Sequence, residues 1–140
     1  MRLPFAAATY FGLVFAAGFA LGIVRGAWLS PLLGERRAVL LELPLMVVVS
    51  LLAARLVARR LSRPVLGRRI VVGASALLLM VTAELAVMHF LRHLTLGEYV
   101  ATFDPIAGPA YLASLLLFGG APALVGRAAA RGAAEASGRE

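Results

Sequence analysis

Three ionisable side chains, Arg25, Glu42 and Glu84, stand inside stretches that are otherwise apolar. A charge in such a run is costly and, by default, marks a functional position. One guanidinium beside two carboxylates leaves an excess of negative charge. That set suits a proton, a monovalent cation or the cationic group of a ligand. A quieter reading makes Arg25 and Glu42 a pin between two helices and lets Glu84 hydrogen-bond to a neighbouring helix, since intramembrane charges commonly pair with one another. A buried pair of this kind does not by itself imply net stability.

The stretch 18–44 must bring the first two of these residues together. Gly18, Gly22 and Gly26 recur every fourth residue, on one ridge of a helix. In lipid such a ridge lets a neighbouring backbone approach closely, either within the chain or from a second copy. Arg25 follows Gly22 by three residues and so emerges beside the ridge. A turn at Leu33 and Gly34 folds the next apolar segment back, which sets Arg25 and Glu42 almost equally far from the turn. The spacing therefore predicts a hairpin with a cation and an anion at one depth.

Segment three, residues 70–91, carries Gly73, Leu77, Met80, Glu84 and Leu91 on one stripe, and Ser75, Thr82 and His89 on another roughly opposite. Polar positions on two faces predict a helix covered by protein on both sides, the most buried of the set, with Ser75, Thr82 and His89 lining a ligand. His89 and His93 share a face, but Glu84 points away from both and no His-Glu-x-x-His is present. The histidines read as interface residues, and no metal or cofactor is expected. Ser30, Ser50, Ser75 and Ser114 lack a base and an orienting partner, and neither a Gly-x-Ser-x-Gly nor a phosphate loop occurs. The chain does not read as an enzyme.

These positions are distributed along 140 residues that are 61% hydrophobic and 15% charged, against roughly half and a quarter in ordinary soluble domains. Spans of about 20 apolar residues each use up most of the chain. We read four: residues 5–28, 38–58, 70–91 and 106–125, as one all-α integral membrane four-helix bundle, up-down-up-down. The first run is longer than the ~7–15-residue core of a signal peptide, so it reads as a retained span, with Trp28 at an interface. Pro44 falls near the start of segment two, where a missing N–H costs least. Thr95 and Glu98 have capping-box spacing, predicting a short interfacial helix over 96–101. Asp104 then Pro105 reads as a helix cap and first residue. Gly119, Gly120 and Pro122 predict a kink, and 127–140 reads as a flexible tail.

No cysteine is present, which removes disulfides and thiolate metal sites, and all 14 basic residues are arginine. Arg2, Arg55, Arg59, Arg60, Arg63, Arg68, Arg69, Arg127, Arg131 and Arg139 fall on one side of four spans, and only Arg25, Arg36, Arg37 and Arg92 on the other. The positive-inside rule then places both termini in the cytoplasm, and it explains the net charge of +7 without a nucleic-acid partner. Within the basic linker, Arg59, Arg60, Arg63, Arg68 and Arg69 also suit anionic lipid head groups, at ~1 kcal/mol per residue near the surface.

The pattern Gly18-x3-Gly22-x2-Arg25, Pro31-x2-Gly34, Glu42-x-Pro44 and Ala54-Arg55 resembles that of small uncharacterised four-helix inner-membrane proteins of Gram-negative bacteria. The resemblance implies a location in the bacterial inner membrane and brings no activity with it. Two functional classes follow. One is a structural or accessory membrane protein, alone or in a larger complex, whose polar residues fix helix packing or dock a partner. The other is a homo-oligomeric transporter or channel for protons, cations or cationic small molecules, using Glu42 and Glu84.

Overall fold

The computed structural model of the chain describes residues 1–61 and 65–138, without the side chains of residues 130 and 133. Arg63 and Arg139, both counted above among the basic residues, lie outside them. The described residues form helices and connecting turns, with no strand among them. Helix α1 spans Leu3–Val24 and is followed by a wider π turn over Arg25–Leu29, a short α2 over Ser30–Leu33, and α3 over Glu35–Arg60. After the linker come α4 (Leu66–Leu91), the short α5 (Leu96–Ala101) and α6 (Ala107–Ser137). Four stretches are long and apolar enough to cross a membrane: Leu3–Leu33, Glu35–Arg60, Leu66–Leu91 and Ala107–Ser137.

The turns follow from single residues. Pro31 has no N–H to return to the carbonyl four residues back, and just before it the helix widens so that the Ser30 N–H reaches the Arg25 carbonyl. Gly34 closes the hairpin with φ +82°, a backbone region open to glycine. Thr95 and Glu98 make the reciprocal capping box: the Glu98 carboxylate accepts from the Thr95 N–H at 2.7 Å, and the Glu98 N–H donates to the Thr95 hydroxyl at 3.3 Å. Asp104 Oδ1 accepts from the N–H groups of Ile106 and Ala107 at 2.8 and 2.9 Å, which starts α6.

Three features differ from the sequence reading. Pro105 is not the first helical residue, since α6 begins at Ala107 with Ile106 in the cap position and Asp104 bonds to it from further upstream. Pro44 stands well inside α3, because that helix already begins at Glu35. The region 127–137 is helical rather than a flexible tail, since α6 runs on to Ser137. Its alanines are the best helix formers and carry the helix past its apolar part.

Helix α6 packs on α3 and α4, and α1 packs on the same two. The core between them is built mostly from alanine and valine around one aromatic pair: Ala6, Ala7, Tyr10 and Val14 of α1, Ala53, Ala54 and Val57 of α3, Val72 and Ala76 of α4, Phe118 and Ala121 of α6. Most leucines and Trp28 face outward, Trp28 being 72% and Leu116 70% exposed. The closest approach joins α4 to α6, where a Cβ on Gly73 would overlap the carbonyl oxygen of Gly119. The expected ridge on α1 is used only at Gly18, where a Cβ would meet Met46 Cε at 3.1 Å. Gly22 and Gly26 have no neighbour at that range among the described residues: Gly22 opens on a cavity, and Gly26 falls in the π turn that begins at Arg25.

One buried contact ties the two bridging helices together. Pro122 cannot donate to the carbonyl of Phe118, four residues back. The Tyr10 hydroxyl donates to that carbonyl instead, at 2.7 Å, and its ring stacks on Phe118 with centroids 4.7 Å apart. An orphan carbonyl made by a proline in α6 is thus satisfied from α1.

Candidate functional site: a charged cavity at one end of the bundle

The hairpin brings Arg25 to Glu42 as their spacing predicts. Arg25 Nε lies 2.7 Å from Glu42 Oε2. The N–H is not directed at that oxygen, so this is an ion pair without a hydrogen bond. The side chains of Arg25 and Glu42 are 23% and 15% exposed. The second carboxylate on Arg25 is Glu35, not Glu84: Arg25 Nη1 also donates to Glu35, whose other oxygen accepts from the Ser30 hydroxyl at 2.6 Å. Glu35 stands at the first residue of α3, immediately after Gly34, so the turn itself delivers it to the π turn carrying Arg25.

Glu84 faces α6 and accepts a hydrogen bond from the Tyr111 hydroxyl. The single three-residue cluster expected of Arg25, Glu42 and Glu84 is therefore divided into an arginine with two carboxylates and a separate carboxylate–phenol pair. Arg36, one residue beyond Glu35, adds a third polar link. Its Nε donates to Asp104 Oδ2 at 2.7 Å, joining the start of α3 to the start of α6. The N–H groups of Ala107 and Ile106, with Arg36 beside them, hold the Asp104 carboxyl below its ordinary range. At α5 the Thr95 N–H and hydroxyl likewise hold the Glu98 carboxyl low.

These groups surround one cavity of about 690 Å³. Arg25, Glu35, Arg36 and Glu42 line it from the hairpin, while Glu84, Tyr99, Asp104 and Tyr111 line it from α4, α5 and the start of α6. Phe15, Phe19, Met46, Met80, Met88 and Phe118 complete the walls. The size lies in the range of small-molecule sites, and mostly apolar walls with a few convergent polar groups are typical of them. Burial, with the Glu84 charge second, pushes the Tyr99 phenol above its ordinary value.

Ser75, Thr82 and His89 do not line this cavity. Thr82 and His89 are exposed, and the Thr82 hydroxyl donates to the Leu78 carbonyl of its own helix at 2.8 Å. A threonine satisfied in this way needs no partner across the helix, so polarity on that stripe does not imply protein cover. His89 instead meets Phe90 edge-on, and His93 stands beyond α4 with φ 53°. Among the expected lipid head-group residues, Arg59 and Arg60 are exposed, Arg68 is half-buried and Arg69 is buried.

The residues missed in the sequence are Glu35, Tyr111, Arg36 and Asp104. Tyr111 carries a signal of a general kind, since a phenol within an apolar helix needs an acceptor; the acceptor's identity depends on which helices become neighbours. Comparison with family models, with curated proteins and with solved structures finds no match for the chain.

Proposed function

We propose that the chain is a small four-span membrane protein of structural or accessory type. Its polar residues lock the outer end of a helical bundle rather than perform chemistry. The observation carrying this reading is that Arg25, Glu35, Arg36, Glu42, Glu84 and Asp104 all find polar partners within the chain. A carboxylate engaged in this way fixes helix neighbours and register. The outward-facing leucines around an alanine-rich core support a bilayer as the surrounding solvent. The arginine distribution supports up-down-up-down topology with both termini cytoplasmic. The resemblance stated above supports the bacterial inner membrane.

The second reading, an oligomeric transporter or channel for protons, cations or cationic small molecules, is favoured by one observation: Glu42 and Glu84 open on the same cavity. Four short spans enclose little, so this reading requires a second copy. Purification into nanodiscs followed by mass measurement separates the two. A partner protein at fixed stoichiometry, or a monomer silent in liposome flux assays, supports the accessory reading. A homo-oligomer with proton-coupled uptake abolished by Glu84→Gln, at unchanged oligomer mass, overturns it. Reporter fusions at both ends test the topology independently, and an extracellular signal from either would refute it.

A further inference from the structure

The other end of the bundle holds a second cavity, of about 390 Å³, between α3, α4 and α6. Arg55 and Arg59 of α3 and Arg69 of α4 line it together with Val125 and Ala128 of α6. Arg69 is the unusual member. It is only 8% exposed, its Nε is buried without a hydrogen-bond partner, and it makes no ion pair among the described residues. An arginine stays charged and carries five donors; burying it with nothing to bind is costly.

The space for this side chain is made by Gly126. A Cβ there would overlap the Arg69 guanidinium, so α6 receives the arginine only because that position has no side chain. Arg55 and Arg59 stand one helical turn apart at the exposed rim. No carboxylate is among the described lining residues. The site also lies at the amino end of α4, which begins at Leu66 and adds the positive end of its dipole. Topology signalling asks only for arginines at the surface and gives no reason for a buried one.

We infer that Arg55, Arg59 and Arg69 form a built site for a phosphate group, presented by an anionic phospholipid. Planar guanidiniums bind phosphate oxygens in pairs. The lipid source is favoured by the exposed apolar side chains of Leu56, Ile70 and Leu124 nearby in sequence, against which acyl chains can lie. This inference rests on the bilayer reading above. It narrows the lipid contact from a whole basic linker to one niche, in which Arg60 takes no part.

The test is native mass spectrometry of the detergent-purified chain, titrated separately with phosphatidylglycerol, phosphatidylcholine and inorganic phosphate. Phosphatidylglycerol is expected to bind the wild type about tenfold more tightly than phosphatidylcholine. Arg69→Gln and the exposed pair Arg55→Gln/Arg59→Gln each remove that preference, while Arg60→Gln, which deletes a charge at the same end, retains it. Gly126→Ala changes no charge but displaces the Arg69 side chain, and also loses the preference. Equal losses from Arg60→Gln and Arg69→Gln would overturn the niche in favour of diffuse surface charge, and a wild type that neither distinguishes the two lipids nor binds inorganic phosphate would overturn the site itself. Inorganic phosphate binding that is lost in Arg69→Gln, without a lipid preference, would keep the phosphate site and overturn its lipid source. Solubility of the wild type without detergent would refute the bilayer reading itself, separately from any of these outcomes.

Discussion

Replacing Tyr10 by Phe removes one oxygen and leaves the stack on Phe118 intact. The hydroxyl donates at 2.7 Å to a carbonyl that Pro122 cannot serve, so the substitution strands a buried acceptor. Stranding such a group costs ~1–3 kcal/mol in soluble proteins, whereas side-chain hydrogen bonds between membrane helices average ~0.6 and reach ~1.7. We expect about 1 kcal/mol for Tyr10→Phe, roughly a fivefold change in the folding equilibrium. The cause can be isolated. Pro122→Ala restores an N–H four residues beyond Phe118, allowing the helix to satisfy its own carbonyl. Against that background Tyr10→Phe should cost almost nothing, giving a coupling of about 1 kcal/mol in a double-mutant cycle. The assay is reversible unfolding in mixed micelles followed by helical circular dichroism. An equal cost of Tyr10→Phe with and without Pro122 would refute the orphan-carbonyl account.

Three further predictions use the same assay. Gly73→Ala places a methyl on the Gly119 carbonyl, a backbone atom that cannot swing aside, and should cost ~1–3 kcal/mol or more; Gly22→Ala meets nothing among the described residues and should stabilise by up to ~1 kcal/mol, unless a second copy packs on that ridge, which a loss of oligomer mass would reveal. Arg25→Gln strands Glu42 and should approach the ~3–5 kcal/mol of a broken buried pair, while Glu42→Gln leaves Arg25 on Glu35 and costs far less; equal costs would refute the bridging role of Arg25. The Asp104 carboxyl is held low in the folded chain, so its contribution is present above the ordinary value of ~3.9 and disappears as pH falls through its lower folded value. The stability advantage of wild type over Asp104→Asn should accordingly shrink from neutral pH toward pH ~3, and an advantage that grows on acidification would reverse the sign of the argument.

What the sequence disclosed divides by the range of the interaction. The four long apolar helices, the capping box at Thr95 and Glu98 and the Asp104 cap depend on neighbours a few residues away. The Arg25–Glu42 contact was also readable, because two positions equidistant from a turn must meet when the hairpin closes. For Glu84 the hydrogen bond to a neighbouring helix was readable, but its partner was not, for the converse reason. Its partner is set by which helix covers that face of α4, and nothing local distinguishes Tyr111 on α6 from Arg25. The stripe of Ser75, Thr82 and His89 misled because a threonine hydroxyl can satisfy itself on its own helix. The glycine ridge meets the chain's own side chains at Gly18 but not at Gly22 or Gly26, which leaves the second-copy alternative for those two positions. Pro122 held the most usable unread information: a proline inside a helix announces a free carbonyl four residues earlier, and Tyr10 was a natural donor to seek for it.

The seating of α6 between α3 and α4 has a consequence for biogenesis. This helix is synthesised after α1 to α5, yet it or its cap supplies the phenol for Glu84, the carboxylate for Arg36, the carbonyl for Tyr10 and the vacancy at Gly126 that admits Arg69. A nascent chain that has released only α1 to α4 holds four polar groups awaiting their counterparts. On the bilayer reading proposed above, quality control by membrane proteases has a defined window here, open until α6 arrives, and chains stalled before Ala107 should be those it removes.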